Sequence, residues 1–187
     1  MKKKKAVRSS DVDVFCHCGG RLRHAILPEH DLAPYVGLEG KARNIPGLRC
    51  TGCGGESLEG DVIAAVIKLS VVNIAQIKTR LSSGAARFLR RAVGMTQAEL
   101  ATRMSINRVT VAKWECDEEP ISPQHDMLLR VLVLSPLAST GQIPQKDMAS
   151  ILEGLGAVRV SPPQPIEKLD IGWPSATSKT KRHASAL

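Results

Sequence analysis

The 187-residue chain is basic, with a formal net charge of +8, and holds only 3% aromatic residues although 43% of it is apolar. So few aromatics argue against one large core and for small helical units or metal-stapled pieces, and the positive balance favours an anionic partner, of which nucleic acid is the commonest. The longest apolar-rich run, "DVIAAVIKLSVVNIAQI", is interrupted by Asp61, Lys68, Asn73 and Gln76 and excludes a membrane span, and the basic start has no apolar stretch behind it, so a cytoplasmic setting is expected.

In chain order, residues 1–13 read as a basic flexible tail. Residues 14–60 carry nine glycines and four of the five cysteines. Gly/Pro turns recur there, so short strands and loops are expected and no long helix. From Asp61 to Arg80 there is neither Gly nor Pro. Val62, Val66, Leu69, Ile74 and Ile77 fall near helical spacing, and Asp61 suits an N-cap. This predicts a connecting helix over 61–82.

Residues 83–136 then read as short helices. Ala85, Phe88, Leu89, Ala92 and Val93 form one apolar stripe, which Gly94 ends. Thr96 with Glu99 makes a capping box for a second helix. A third helix is expected over 107–115 and a fourth over Ser122–Ser135, with Met127, Leu128, Val131 and Leu132 as its apolar residues. After Pro136 the signal fades, apart from a short helix within "KDMASILEGLG" (residues 146–156). The remainder of 137–187 is rich in Pro, Ser, Thr and Lys and reads as mostly disordered. The fold class is therefore α+β: a small zinc-stapled N-terminal module and an all-α domain, between disordered basic tails.

Two motifs carry chemistry. The first is Cys16-x-Cys18 with Cys50-x-x-Cys53, 31 residues lying between the pairs. In a reducing compartment such pairs serve as metal ligands rather than disulfides. Four thiolates are a common closed set for one structural Zn²⁺. "RCTGCGG" has the form of a zinc knuckle, and the first pair also ends in "CGG". On an extended strand, Cys16 and Cys18 would point to one face and His17 away from it. Iron in the same thiolates and metal-free cysteines are the alternatives. His24 and His30 are reserve ligands, and Cys116 has no pair.

The second motif is "TQAELATRMSINRVTVAKWE", Thr96 to Glu115, with the features of a helix-turn-helix. Leu100, Ile106, Val111 and Trp114 fall at core positions. Ala101 sits where two helices cross, and Ser105 where the turn wants a left-handed backbone. In such a pair the second helix enters the major groove of double-stranded DNA. Asn107, Arg108, Val109 and Lys113 would then face base edges, Arg108 and Lys113 suiting guanine and Val109 a thymine methyl. Thr96, Gln97 and Thr110 would hold phosphates. Arg87, Arg90 and Arg91 are candidate backbone contacts.

This stretch resembles the helix-turn-helix of the XRE/Cro-type repressors. The order of zinc module, helix and helix-turn-helix, with "IPGLRCTGCGG", "LRRAVGMTQAELA", "WE" and "LLRVL", is similar to the MqsA (YgiT-type) antitoxins over about residues 14–135. The resemblance implies an N-terminal zinc domain that binds a toxin and a C-terminal domain that dimerises on a palindromic operator. Two departures stand out. The first cysteine pair is one residue shorter than in the family. Val109 and Lys113 replace the Asn and Arg that the family uses in its recognition helix, so the operator would differ.

The chain is thus expected to be a dimeric, zinc-containing repressor, the antitoxin of a type II toxin–antitoxin pair that regulates its own operon. The alternatives are a stand-alone XRE-type regulator and a metal- or redox-responsive repressor. No nucleophile, carboxylate pair or phosphate loop stands out, so an enzyme is not expected.

Overall fold

The structure, a computed structural model, describes residues 14–141, 153 and 169–173. Its first part is built on two antiparallel strands, β1 (Leu22–Asp31) and β2 (Gly40–Cys50), in register from Leu22 opposite Cys50 to Asp31 opposite Lys41. These strands are longer than the Gly/Pro spacing predicts. Gly47 shows why: it marks a close approach inside a strand rather than a turn, since a Cβ there would lie 2.7 Å from Leu27 Cδ1. A single helical turn, α1 (Ala33–Val36), connects the strands and ends at Gly37 with φ +68°. Within β2, Asn44 has φ +54°. The buried set shifts there from Gly40 and Ala42 to Ile45 and Gly47, so one left-handed residue resets which side chains face inward.

The other edge of β2 takes two short strands, which completes a four-stranded sheet. β3 (Glu56–Ser57) pairs with Leu48 and Arg49, antiparallel. A strand from the far end of the chain, Leu169–Gly172 (here β4), pairs in parallel with Gly40–Arg43. Within the region 137–187, expected to be mostly disordered, these four residues are extended, and 142–152, 154–168 and 174–187 lie outside the described residues. Leu169 and Ile171 are buried, Asp170 is exposed, and Asp170 meets Arg43 at 2.8 Å. Gly40 admits the strand, because a Cβ on it would stand 2.7 Å from both Leu169 Cβ and the Leu169 carbonyl. Four alternating residues amid prolines are too few to show as a strand in the sequence.

Helix α2 (Gly60–Ala75) buries Val62, Val66, Ser70, Val71 and Ile74. The hydroxyl of Ser70 donates to the Val66 carbonyl at 2.8 Å, so nothing polar is stranded in that face. Glu59, not Asp61, occupies the N-cap position, and the Asp61 carboxylate accepts the Val62 N–H instead. The helix also stops well short of residue 82. Its end is taken over by Arg130, whose guanidinium donates to the carbonyls of Ala75 at 3.2 Å, of Ile77, and of Thr79 at 2.8 Å. Arg130 also meets Asp126 at 2.5 Å, and the second Asp126 oxygen accepts the Leu81 N–H at 2.6 Å. One fully buried ion pair thus satisfies the irregular segment that replaces the predicted last helical turn.

Four helices follow: α3 (Ser83–Ala92), α4 (Gln97–Arg103), α5 (Arg108–Glu115) and α6 (Pro123–Ser139). Three of their N-caps are hydroxyl side chains, and the sequence points to the one at Thr96. Ser82 accepts from Ala85 N–H, Thr96 and Glu99 form the reciprocal capping box, and Ser122 accepts from His125 N–H. α6 continues past Pro136 to Ser139, because a proline this near the C-terminus removes a single helical donor. Its buried face is Asp126, Leu129, Arg130, Val133 and Leu134, while Met127 and Leu128 are exposed. The buried face thus carries two charges that neutralise each other, Asp126 and Arg130.

The buried apolar side chains form one continuous cluster from Leu27 to Ile171, with α2 between the sheet and the helices α3 and α6. No helix among the described residues is long and apolar enough to cross a membrane. The tail over 1–13 and, apart from Glu153, the helix expected within 146–156 lie outside the described residues.

Candidate metal centre and exposed helix surface

The four cysteines converge at the end of the β1–β2 hairpin. Cys50 closes β2 and is buried, and Cys16 and Cys18 lie just ahead of β1. All four Sγ atoms are within 4.8 Å of one another, with Cys18 and Cys50 3.4 Å apart and Cys16 and Cys53 3.7 Å apart. A tetrahedral Zn²⁺ with Zn–S bonds of about 2.3 Å requires sulfur–sulfur edges of about 3.8 Å. The donor set therefore fits one closed, four-thiolate metal site. The same separations are far too long for a disulfide bond.

The short first pair does not lie on an extended strand, as the sequence suggested. Both pairs sit in tight turns with matching hydrogen bonds. In the second, the Cys50 N–H donates to the Gly55 carbonyl at 2.8 Å, around Gly54 with φ +73°. In the first, the Cys16 N–H donates to the Gly20 carbonyl at 2.8 Å, around Gly19 with φ +82°. One residue is lost from the arch between the cysteines, and the closing bond and the left-handed glycine remain. That is how Cys16-x-Cys18 still places two sulfurs beside Cys50 and Cys53.

Backbone N–H groups also point at the sulfurs, Gly20 to Cys18 at 3.4 Å and Gly52 to Cys50 at 3.3 Å. The N–H groups of Cys53 and Gly52 hold the Cys50 thiol well below its ordinary value, at about 6. A Gly55 N–H favours the Cys53 thiolate, but the surrounding sulfurs of Cys18, Cys50 and Cys16 push it up to about 11. One thiolate forms readily, and each further one meets growing like-charge repulsion, which a divalent cation in the centre removes. The neighbouring glycines are tightly constrained. A Cβ on Gly20 would stand 2.7 Å from Cys50 Sγ and 3.0 Å from the Gly52 nitrogen. Gly20→Ala is therefore expected to weaken metal binding by about 10- to 100-fold, as lost support around ligands does. Competition with a chromogenic chelator measures this, and unchanged retention would refute the close-packed arrangement.

The reserve ligands are engaged elsewhere. His24 lies 3.6 Å from Glu59. His30, half-buried, lies between Glu56 and Tyr35, 3.3 Å from each. Cys116 is exposed, beyond the end of α5.

Among the helices, α4 and α5 are joined by residues 104–107. Ser105 there has φ +54°, the Ile106 N–H donates to the Ala101 carbonyl at 3.0 Å, and Ala101 is buried. Asn107 is the N-cap of α5 and accepts the Val109 N–H at 2.8 Å. Asn107, Arg108 and Val109 form an exposed surface at the first turn of α5, with Val109 56% exposed. Lys113 is exposed on the same helix, 3.7 Å from Glu119, and Thr110 is half-buried. Thr96 is exposed at the start of α4.

Two expected contact residues have other work. Arg90 is buried and forks onto Glu115 at 2.6 and 2.9 Å while donating to the Met95 carbonyl, so it is not a surface contact. Gln97 donates to the same Glu115 carboxylate at 3.0 Å. Burial alone would push Glu115 up, but Arg90 and Gln97 hold its carboxyl below the usual range. Glu115, which the sequence reading left without a role, fastens α3, α4 and α5 together. A glutamate directly after a core tryptophan was the only clue to it. No protein-family model, curated protein or solved structure matches the chain.

Proposed function

We propose that the chain is a zinc-stapled, sequence-specific DNA-binding repressor that acts as a homodimer. The observation that carries this reading is the exposed first turn of α5. Asn107, Arg108 and Val109 project together from a helix whose other face is fixed by Val111, Trp114 and Glu115. A valine 56% exposed beside an arginine has no packing role, and suits a thymine methyl next to a guanine. The left-handed Ser105 and the small Ala101 give the tight helix–helix turn that major-groove readers need. The net charge of +8 supplies phosphate attraction.

Titration of the purified protein against the DNA upstream of its own gene tests the reading. Preference over random duplex is expected, and equal binding would sink it. Arg108→Ala is expected to lose about 1–3 kcal/mol on the preferred site, about 5- to 150-fold, with a much smaller loss on random DNA. An equal loss on both would make Arg108 a phosphate contact only.

The resemblance to the MqsA (YgiT-type) antitoxins supports a further step: the sheet module with its four cysteines binds a toxin, and the repressor controls the operon that encodes both. Co-expression with the product of the adjacent reading frame, followed by purification, tests this. A stable complex that relieves the toxicity of that product is expected, and no complex would leave a stand-alone regulator.

A further inference from the structure

A cleft of about 400 Å³ lies where α1, α2 and α3 meet, away from the sulfur cluster. Val36, Ile67 and Phe88 supply apolar walls, and Arg87 and Arg91 stand at its rim. These arginines are one helical turn apart on α3 and so share a face. Gly37 and Gly84 line the cleft without filling it, and no acidic side chain does. The Arg87 guanidinium also donates to the Glu115 carbonyl at the end of α5, which fixes its position. Arg91 is exposed and has no partner among the described residues.

We propose that this cleft binds a small amphipathic anion, a compound with an apolar body and one carboxylate or similar anionic head. The volume falls in the range of small-ligand sites. The walls suit an apolar body that a DNA phosphate would leave unfilled. The head has one positioned guanidinium and one uncommitted guanidinium to pair with, and no carboxylate repels it. The cleft also lies away from the base-facing residues: Arg87 grips the last residue of α5, and Asn107 caps the first turn, about 12 Å along the helix. The binding claim is independent of the DNA-binding reading, since it is measured without DNA.

The test is calorimetric titration of the whole protein with octanoate and, separately, octylammonium, repeated on Arg91→Glu, Arg91→Gln and the control Arg103→Glu. Arg103 is exposed on α4 and does not line the cleft. Octanoate is expected to bind and octylammonium not to. Both Arg91 substitutions are expected to weaken octanoate by about tenfold or more, and Arg103→Glu to leave it within about twofold. No octanoate binding, equal binding of both amphiphiles, or equal effects at Arg91 and Arg103 would each overturn the proposal. So would absent octanoate binding together with a drop in random-duplex affinity in Arg91→Glu, which would assign the arginines to phosphates. Unchanged thermal melts confirm that the variants fold.

Discussion

Stripping the metal with a strong chelator is expected to abolish amide-exchange protection along β1 and β2 while much of the helical circular dichroism remains. Structural zinc contributes on the order of 10 kcal/mol to small modules at neutral pH, as much as the whole stability of an ordinary domain. Ahead of α2 the sheet module buries Leu27, Leu32, Val36, Ala42, Ile45, Leu48 and Leu58 and no aromatic side chain, so little else holds its knuckle end. Elemental analysis of the unmodified protein is expected to find about one equivalent of metal, and Cys50→Ser and Cys16→Ser are each expected to lose it. The pH dependence follows from the sulfurs. Cys50 ionises near 6, and Cys53 keeps its proton up to about 11 when no cation is present. Metal binding at pH 7 must therefore expel protons, so affinity rises with pH and falls on acidification, by about tenfold per pH unit for each proton released. Exchange protection that survives chelation, or affinity indifferent to pH between 6 and 8, would refute the site.

Arg130→Leu is expected to destabilise the protein by about 3–5 kcal/mol, because it leaves the Asp126 carboxylate buried and uncompensated. The side chains of Arg130 and Asp126 are both fully buried, and the substitution also orphans the carbonyls of Ala75, Ile77 and Thr79. The thermal midpoint would fall by roughly 6–20 °C for a chain of this size. Arg130→Lys keeps the charge but not the fork and is expected to fall between. Urea unfolding of both variants measures this. A shift of Arg130→Leu within about 0.5 kcal/mol would mean that the segment after α2 is held by something else.

The four cysteines, the capping box of Thr96 and Glu99, the helices α2 to α6 and the break at Gly94 were legible in the sequence. Each is a local signal: a capping hydroxyl or a knuckle glycine acts within a few residues of itself. The shortened first pair keeps the glycine directly after its second cysteine, Gly19, which holds the turn although the spacing alone suggested an extended strand. The long hairpin was not legible, because Gly47 has the composition of a turn and the role of a close contact with Leu27 across the pair. The residues facing outward at the start of α5 were legible as a pattern, and Arg90 was not distinguishable from its neighbours Arg87 and Arg91.

By itself, then, the sequence determined which segments become helices, which residues could hold a metal, and which short helix carries an uncovered polar and apolar mixture. Only the tertiary structure decided which charges are buried. Glu115 selects Arg90 from three arginines, and Asp126 with Arg130 selects one face of α6 and ends α2. It also decided that β4 returns from the far end of the chain to the open edge of β2. The physical reason is the same in each case. A buried ion pair or an added strand is stabilised by a partner distant in sequence, and no local periodicity records where that partner stands.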